Sequence, residues 1–237
     1  MTEQQPVHVR PRRKFLGLWF AGAVVVLGVV VGVVFGVTPE RPPVADSSLE
    51  PGLLVAADFP PQFYVSTMTQ ADLDRLPSTL GVPDTVNPTE CSELIRAAEE
   101  QKGGQSVAVV RASDSTNGVY YVQEVMRADE SPDWDVRQGE QRLAACGEMT
   151  MVYKERTVRL YSSRVAGIAG DGYAVSMTTG ADYGIGGATI AVATTRVGDH
   201  IVVFTAASAV TSMRSVFDED EFVRLANAAN ERVRARL

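Results

Sequence analysis

The stretch ATIAVATTRVGDHIVVFTA, residues 188–206, sets two apolar, β-branched runs on either side of Gly198-Asp199. Ala188 to Val197 and Ile201 to Ala206 have strand composition, and a turn this short joins strands that run in opposite directions. The same pattern recurs outward from this point. Ser106 to Ala112 leads through Asn117-Gly118 into Val119 to Met126, and Val158 to Ser162 leads through Gly170-Asp171-Gly172 into Tyr173 to Thr179. Met149 to Tyr153 is a further run of this kind. An antiparallel sheet of about six to seven strands is predicted.

Helical signals punctuate these runs. Asn87-Pro88-Thr89-Glu90 reads as a capping box with proline at the first helical position, and Cys91, Leu94, Ile95 and Ala98 then share a face before Gly103-Gly104. Ser131-Pro132-Asp133 opens a second helix, with Val136, Leu143 and Cys146 on one stripe and Gly147 as its stop. A third starts in the run Asp218 to Glu221, carries Phe222, Leu225, Ala226, Ala229 and Val233 on one face, and ends in Arg232, Arg234 and Arg236. Acid first and base last suits the helix dipole. A short helix is also read around Ala71 to Leu76. The predicted class is α+β, with helices packed on one face of the sheet and a single transmembrane helix ahead of it.

That helix is read in Phe15 to Val37, 23 residues without a charge. As an α-helix it reaches about 34 Å, against a hydrocarbon core of about 30 Å. A cleaved signal peptide is the alternative, but its apolar region runs to about 15 residues at most and ends in a small-x-small site. Here the closest sites, Val34-Phe35-Gly36 and Phe35-Gly36-Val37, carry bulky residues, so an uncleaved signal-anchor is predicted. Residues 1–14 balance at +3 and everything after Val37 at −10. Basic flanks stay inside, which predicts a single-pass cell-membrane protein with a cytoplasmic basic tail at 1–14 and its main domain extracytoplasmic. Arg12-Arg13-Lys14-Phe15-Leu16 also fits a twin-arginine export signal, and topogenic basic residues account for it equally well. Gly28, Gly32 and Gly36 share one helix face, which predicts a homodimer through the membrane helix, with chance spacing among five glycines as the alternative. Residues 38–52, with Pro39, Pro42, Pro43 and Pro51, read as a Pro-rich spacer, and 53–237 as one domain.

The acidic balance after Val37 argues against nucleic acid as a partner, because phosphate tracking needs a basic footprint. Cys91 and Cys146 are the only cysteines, and a disulfide between them is the predicted pairing in an oxidising compartment. His8 and His200 are the only histidines, so a two-histidine metal set outside the membrane is excluded, and no metal or other cofactor is expected. There is no Gly-x-Ser-x-Gly, and His200 beside its glycine turn reads as an exposed turn residue. No catalytic residue is assigned, and an enzyme is not predicted. The loop Gly180 to Gly187 leads into a strand and lacks Lys-Ser/Thr, so it is a hairpin connection or a flap rather than a phosphate loop. Tyr120, Tyr121, Tyr153, Tyr161 and Tyr173 pack a core or line a ligand groove. Tyr120, Tyr121 and Tyr173, with Tyr183 of the glycine-rich loop, are the groove candidates.

Several spaced features then combine: Phe59-Pro60-Pro61 before an extended run, Pro88 just ahead of Cys91, Cys146-Gly147 closing a helix, Arg196 to Val203, and Ala228-Ala229-Asn230 in a C-terminal helix. Over residues 53–237 this pattern resembles actinobacterial and mycobacterial envelope domains similar to the extracellular sensor domain of PknH-type receptor kinases. The resemblance implies an antiparallel sheet whose helices form a cleft for an unidentified ligand. It also implies two disulfides, of which Cys91 and Cys146 fit one. The resulting expectation is a membrane-anchored binding or sensor-like domain for an unidentified cell-envelope ligand. The alternative is a non-catalytic scaffold that docks another envelope protein.

Overall fold

The computed structural model describes residues 43–74, 84–92, 105–130, 141, 146–153, 156–179, 188–209 and 217–237. Among these, the alternating runs become ten strands of one sheet. Three are short: β1 (Val44–Ala45), β2 (Tyr64–Thr67) and β3 (Thr85–Asn87). Seven are long: β4 (Ser106–Asp114), β5 (Val119–Arg127), β6 (Glu148–Tyr153), β7 (Arg156–Val165), β8 (Asp171–Thr179), β9 (Ala188–Val197) and β10 (His200–Ala209). The order across the sheet is β1-β4-β5-β10-β9-β8-β7-β6-β3, with β2 also paired to β4. β4 therefore meets two strands on its outer edge. β1 runs parallel to it at Ser106–Val107, and β2 runs antiparallel to it from Val110 to Ser113. The other pairings are antiparallel, with β9 and β10 joined across Gly198-Asp199 in the predicted hairpin.

The predicted fold class is corrected in two respects. The sheet is mixed and ten-stranded, because strands of two to four residues add to its edges and are too short to show a period-two pattern. Helices lie on both faces of it rather than one. On β10, Val202, Phe204 and Ala206 join the core under the C-terminal helix α2 (Glu219–Arg236), whereas Ile201, Val203 and Ala207 join the core that holds Cys91 and Cys146. The one-turn helix α1 (Gln70–Leu73) buries Leu73 against Val107 and Val109, on the face opposite α2. A strand covered on both sides reads as a near-continuous apolar run, and residues 201–209 do so.

Helix α2 follows its predicted pattern. Asp218 caps it by accepting the Glu221 N–H at 3.1 Å, and Phe222, Leu225, Ala226, Ala229 and Val233 are buried on the sheet. Residues 44–52, within the Pro-rich segment, fold onto the sheet and α2 as β1 followed by a 3-10 turn, Ser47–Gly52, that the Asp46 carboxylate caps. Leu49, Leu53 and Leu54 from this strap join the core under α2. Residues 89–92 start a helix where one is predicted, while most of that helix and of the second predicted helix lie outside the described residues.

The membrane expectations also need correction. No helix among the described residues is long and apolar enough to cross a membrane. The longest, α2, has one apolar face and carries Glu219, Asp220, Glu221, Arg224, Glu231, Arg232, Arg234 and Arg236. The segment 15–37, with Gly28, Gly32 and Gly36, lies outside the described residues. The single-pass topology, the signal-anchor, the integral membrane association, the extracytoplasmic placement and the homodimer through that helix have no counterpart among the described residues.

Candidate functional site

The predicted disulfide is present: Cys91 and Cys146 are bonded, 55 residues apart in the chain with Cα atoms 5.7 Å apart. Both sulfurs sit in the core of the face opposite α2.

The tyrosines are distributed over two faces. Tyr120 and Tyr121 are neighbours on β5 and point to opposite sides, as period two requires. Tyr121 is 3% exposed, with its ring centroid 5.3 Å from Phe63 and 5.8 Å from Phe204. Burial, reinforced by the Glu221 and Asp218 carboxylates, pushes its phenol up to about 12. It is a core residue. Tyr120 is half-buried on the other face, with the Arg111 guanidinium 5.3 Å from its ring centroid. Tyr173 packs on that same face against the disulfide-bearing core. Three strand spacings and four residues separate Tyr173 from Tyr120, about 20 Å along the sheet. The two rings therefore do not meet in one groove. Tyr183 and the loop 180–187 lie outside the described residues.

A concave site of the described surface lies elsewhere, at the end of the sheet. Gly198 takes φ +59° in the β9–β10 turn, a left-handed conformation that glycine adopts without strain. This turn sets Asp199 and His200 beside the start of β8 and the last turn of α2. The cleft between them has a volume of about 390 Å³. Val197 and His200 contribute from the hairpin, Asp171 from β8, and Val233, Arg234 and Leu237 from α2 and the residue that follows it. His200, read from sequence as an exposed turn residue, is half-buried at the cleft wall.

Side-chain amides hold these walls together. Asn227 of α2 accepts the Ala169 N–H at 2.8 Å and donates to the Gly167 carbonyl at 2.9 Å, which fixes the loop that ends at Gly170. Asn230, buried one turn on, donates to Thr195 Oγ1 at 3.2 Å. The Asp199 carbonyl accepts the Ala128 N–H at 2.8 Å, tying the turn to the end of β5. Arg196 donates from Nε to the Gly198 carbonyl at 3.3 Å. Asp171 and Arg196 border the cleft at the sheet end, but the register sets their side chains with Ile201 on the face opposite α2, and among the described residues neither Asp171 nor Asp199 forms an ion pair with Arg196 or Arg234.

Two buried hydroxyls, Thr194 Oγ1 and Ser208 Oγ, have no hydrogen-bond partner, and neither lines the cleft. Among the described residues no group of three or more His, Cys, Asp or Glu side chains is placed to hold a metal ion. The residues that border the cleft carry charges of both signs. Sequence patterning did not reveal it, because its residues are spread from Gly170 to Leu237 and share no local motif.

No family model matches the chain, and no curated protein matches it. Solved structures do. An uncharacterized protein from Mycobacterium smegmatis, the Rv0999 ortholog, is 16% identical with a TM-score of 0.44, over 75% of this chain and 92% of that one. The extracellular domain of PknH from Mycobacterium tuberculosis is 15% identical with a TM-score of 0.50, over 81% of this chain and 98% of that one. At that identity the likeness is one of architecture, and this chain has a fold similar to that of the PknH extracellular domain.

Proposed function

We propose that this chain is a non-catalytic domain that binds a small ligand in the cleft at the β9–β10 turn. The observation that carries this reading is the cleft itself: about 390 Å³, with walls from separate elements locked by Asn227 and Asn230. That volume falls within the usual range for small-molecule sites, about 300–1,000 Å³. A protein-docking role would favour a contiguous exposed apolar patch. Among the described residues the large exposed apolar side chains, Val44, Val55, Tyr64, Tyr161 and Leu237, instead fall on five separate segments. The shared fold supports the reading only at the level of architecture. The sequence favours binding over catalysis, because beyond residue 8 it has one histidine and nowhere a nucleophile-elbow motif.

The test is a thermal-shift screen of the full chain against small polar metabolites and glycans, followed by mapping of each hit with cleft variants. A ligand selective for the folded state raises the melting temperature. Hits that lose their effect in His200→Ala support the reading. If no hit maps to the cleft and crosslinking in cells returns a single stoichiometric protein, the chain is a scaffold instead.

A further inference from the structure

We infer that the open corner of the sheet face opposite α2, at β2, β4 and β5, binds a sugar unit that carries a carboxylate. Tyr64 on β2, Ser113 on β4 and Tyr120 on β5 stand in one row across these strands, and Ser66 and Arg111 stand opposite each other in the next row. All five side chains share a face. Alternation fixes which face it is. Val65, Ala112 and Tyr121 belong to the core under α2, whereas Met68, Val109 and Val122 belong to the small core around Leu73 on the other side. That small core stops short of the tyrosine row. Tyr64 is 73% exposed and Arg111 is exposed, while Ser66, Ser113 and Tyr120 are half-buried.

Charge and stacking together select the ligand. The Arg111 guanidinium lies 5.3 Å from the Tyr120 ring centroid, so the aromatic face holds it in place. Among the described residues no carboxylate pairs with it, in a chain whose net charge is −7. A positioned guanidinium without an anion is matched by a carboxylate, which it can bind through two parallel hydrogen bonds. Tyr64 stands diagonal to Arg111, about 7–8 Å away between Cα atoms, and its exposed ring offers an apolar face for the C–H side of a pyranose. The Ser66 and Ser113 hydroxyls lie between the two and can both donate to and accept from sugar hydroxyls. The β9–β10 cleft is a separate place. Tyr120 and Arg127, the residue opposite His200, stand at the two ends of β5, about 23 Å apart.

The probes are tetragalacturonate and a hyaluronan tetrasaccharide, whose uronate units differ in configuration, each titrated calorimetrically into the full chain. Their methyl esters keep the rings and remove the charge, and inorganic triphosphate keeps charge without a ring. At least one acidic tetrasaccharide should bind saturably, with its methyl ester about tenfold weaker and triphosphate no tighter than the ester. Arg111→Gln and Tyr64→Ala should each weaken that acid about fivefold, and Tyr64→Phe should keep it within about twofold, because stacking needs the ring and not the hydroxyl. Melting temperatures of the unliganded variants should stay within about 3 °C of the parent, as for surface substitutions. Arg236→Gln, in the last turn of α2, should leave binding unchanged. Equal binding of the ester or of triphosphate, indifference to Tyr64→Ala or to Arg111→Gln, an equal loss in Arg236→Gln, or no saturable binding of either acid each overturns the assignment. The cleft stands or falls separately, on the screening hits that His200→Ala removes.

Discussion

The side-chain amide of Gln123 acts as a strand partner for Leu54. Its Oε1 accepts the Leu54 N–H at 2.7 Å, and its Nε2 donates to the Gly52 carbonyl at 2.9 Å, all within the core beneath α2. A glutamine on the buried face of β5 thereby satisfies two backbone groups of the strap that no strand reaches. Gln123→Leu keeps the volume but leaves both groups unpaired, and it is expected to cost about 2–4 kcal/mol. Urea unfolding measures this, and a cost below about 1 kcal/mol would show that the strap satisfies itself some other way.

Phe204 sits in a chain of rings, 5.8 Å from Tyr121 and 5.8 Å from Phe222, and is 1% exposed. It is the contact through which α2 grips the middle of the sheet. Phe204→Ala should destabilise the fold by about 3–5 kcal/mol, with Phe204→Leu costing clearly less because most of the volume stays. The chemical-denaturation midpoints of the two variants decide the order.

The Cys91–Cys146 bridge closes a span of 55 residues. In the chain-entropy account, removing it lowers stability by about 4 kcal/mol. The double variant Cys91→Ser with Cys146→Ser should therefore unfold at distinctly lower urea concentration. Thiol labelling of denatured, unreduced protein should find no free sulfhydryl; two reactive thiols would contradict the bridge.

Asp114 ends β4 and organises the loop into β5. Its Oδ1 accepts the Thr116 N–H at 2.9 Å, and its Oδ2 accepts from Asn117 Nδ2 at 2.8 Å. Desolvation pushes its pKa up, but hydrogen bonds from Asn117 and Thr116 outweigh it and hold the carboxyl below its ordinary value of 3.8. A depressed carboxylate adds stability above its unfolded-state pKa and loses it as pH falls through the lower folded-state value. Asp114→Asn should thus lower the melting temperature at pH 7, and the gap from the parent should close below about pH 4. Paired thermal melts between pH 3 and 7 measure it, and a constant gap would assign the effect to shape rather than charge.

Local sequence determined the elements whose signal repeats over many residues. The seven long strands appear where apolar, β-branched runs predict them, because strand patterning is set by near neighbours. Helix α2 is legible from its acidic start, apolar stripe and basic end, and the disulfide from there being only two cysteines. Period two also separates Tyr120 from Tyr121, so a groove containing both conflicts with strand geometry that was readable in advance.

Tertiary structure alone decided the rest. The strands of two to four residues and the parallel pairing of β1 depend on a partner already standing at the edge of β4. Coverage of both faces depends on segments far apart in the chain: Leu73 and Cys91 reach one side, and Leu49 and Phe222 the other. The cleft is the extreme case. The start of β8, the β9–β10 turn and the residues 233–237 border it together because the end of α2 docks beside a turn more than thirty residues earlier in the chain. No local spacing encodes such a meeting; it follows from long-range packing that orients a helix end against a sheet end.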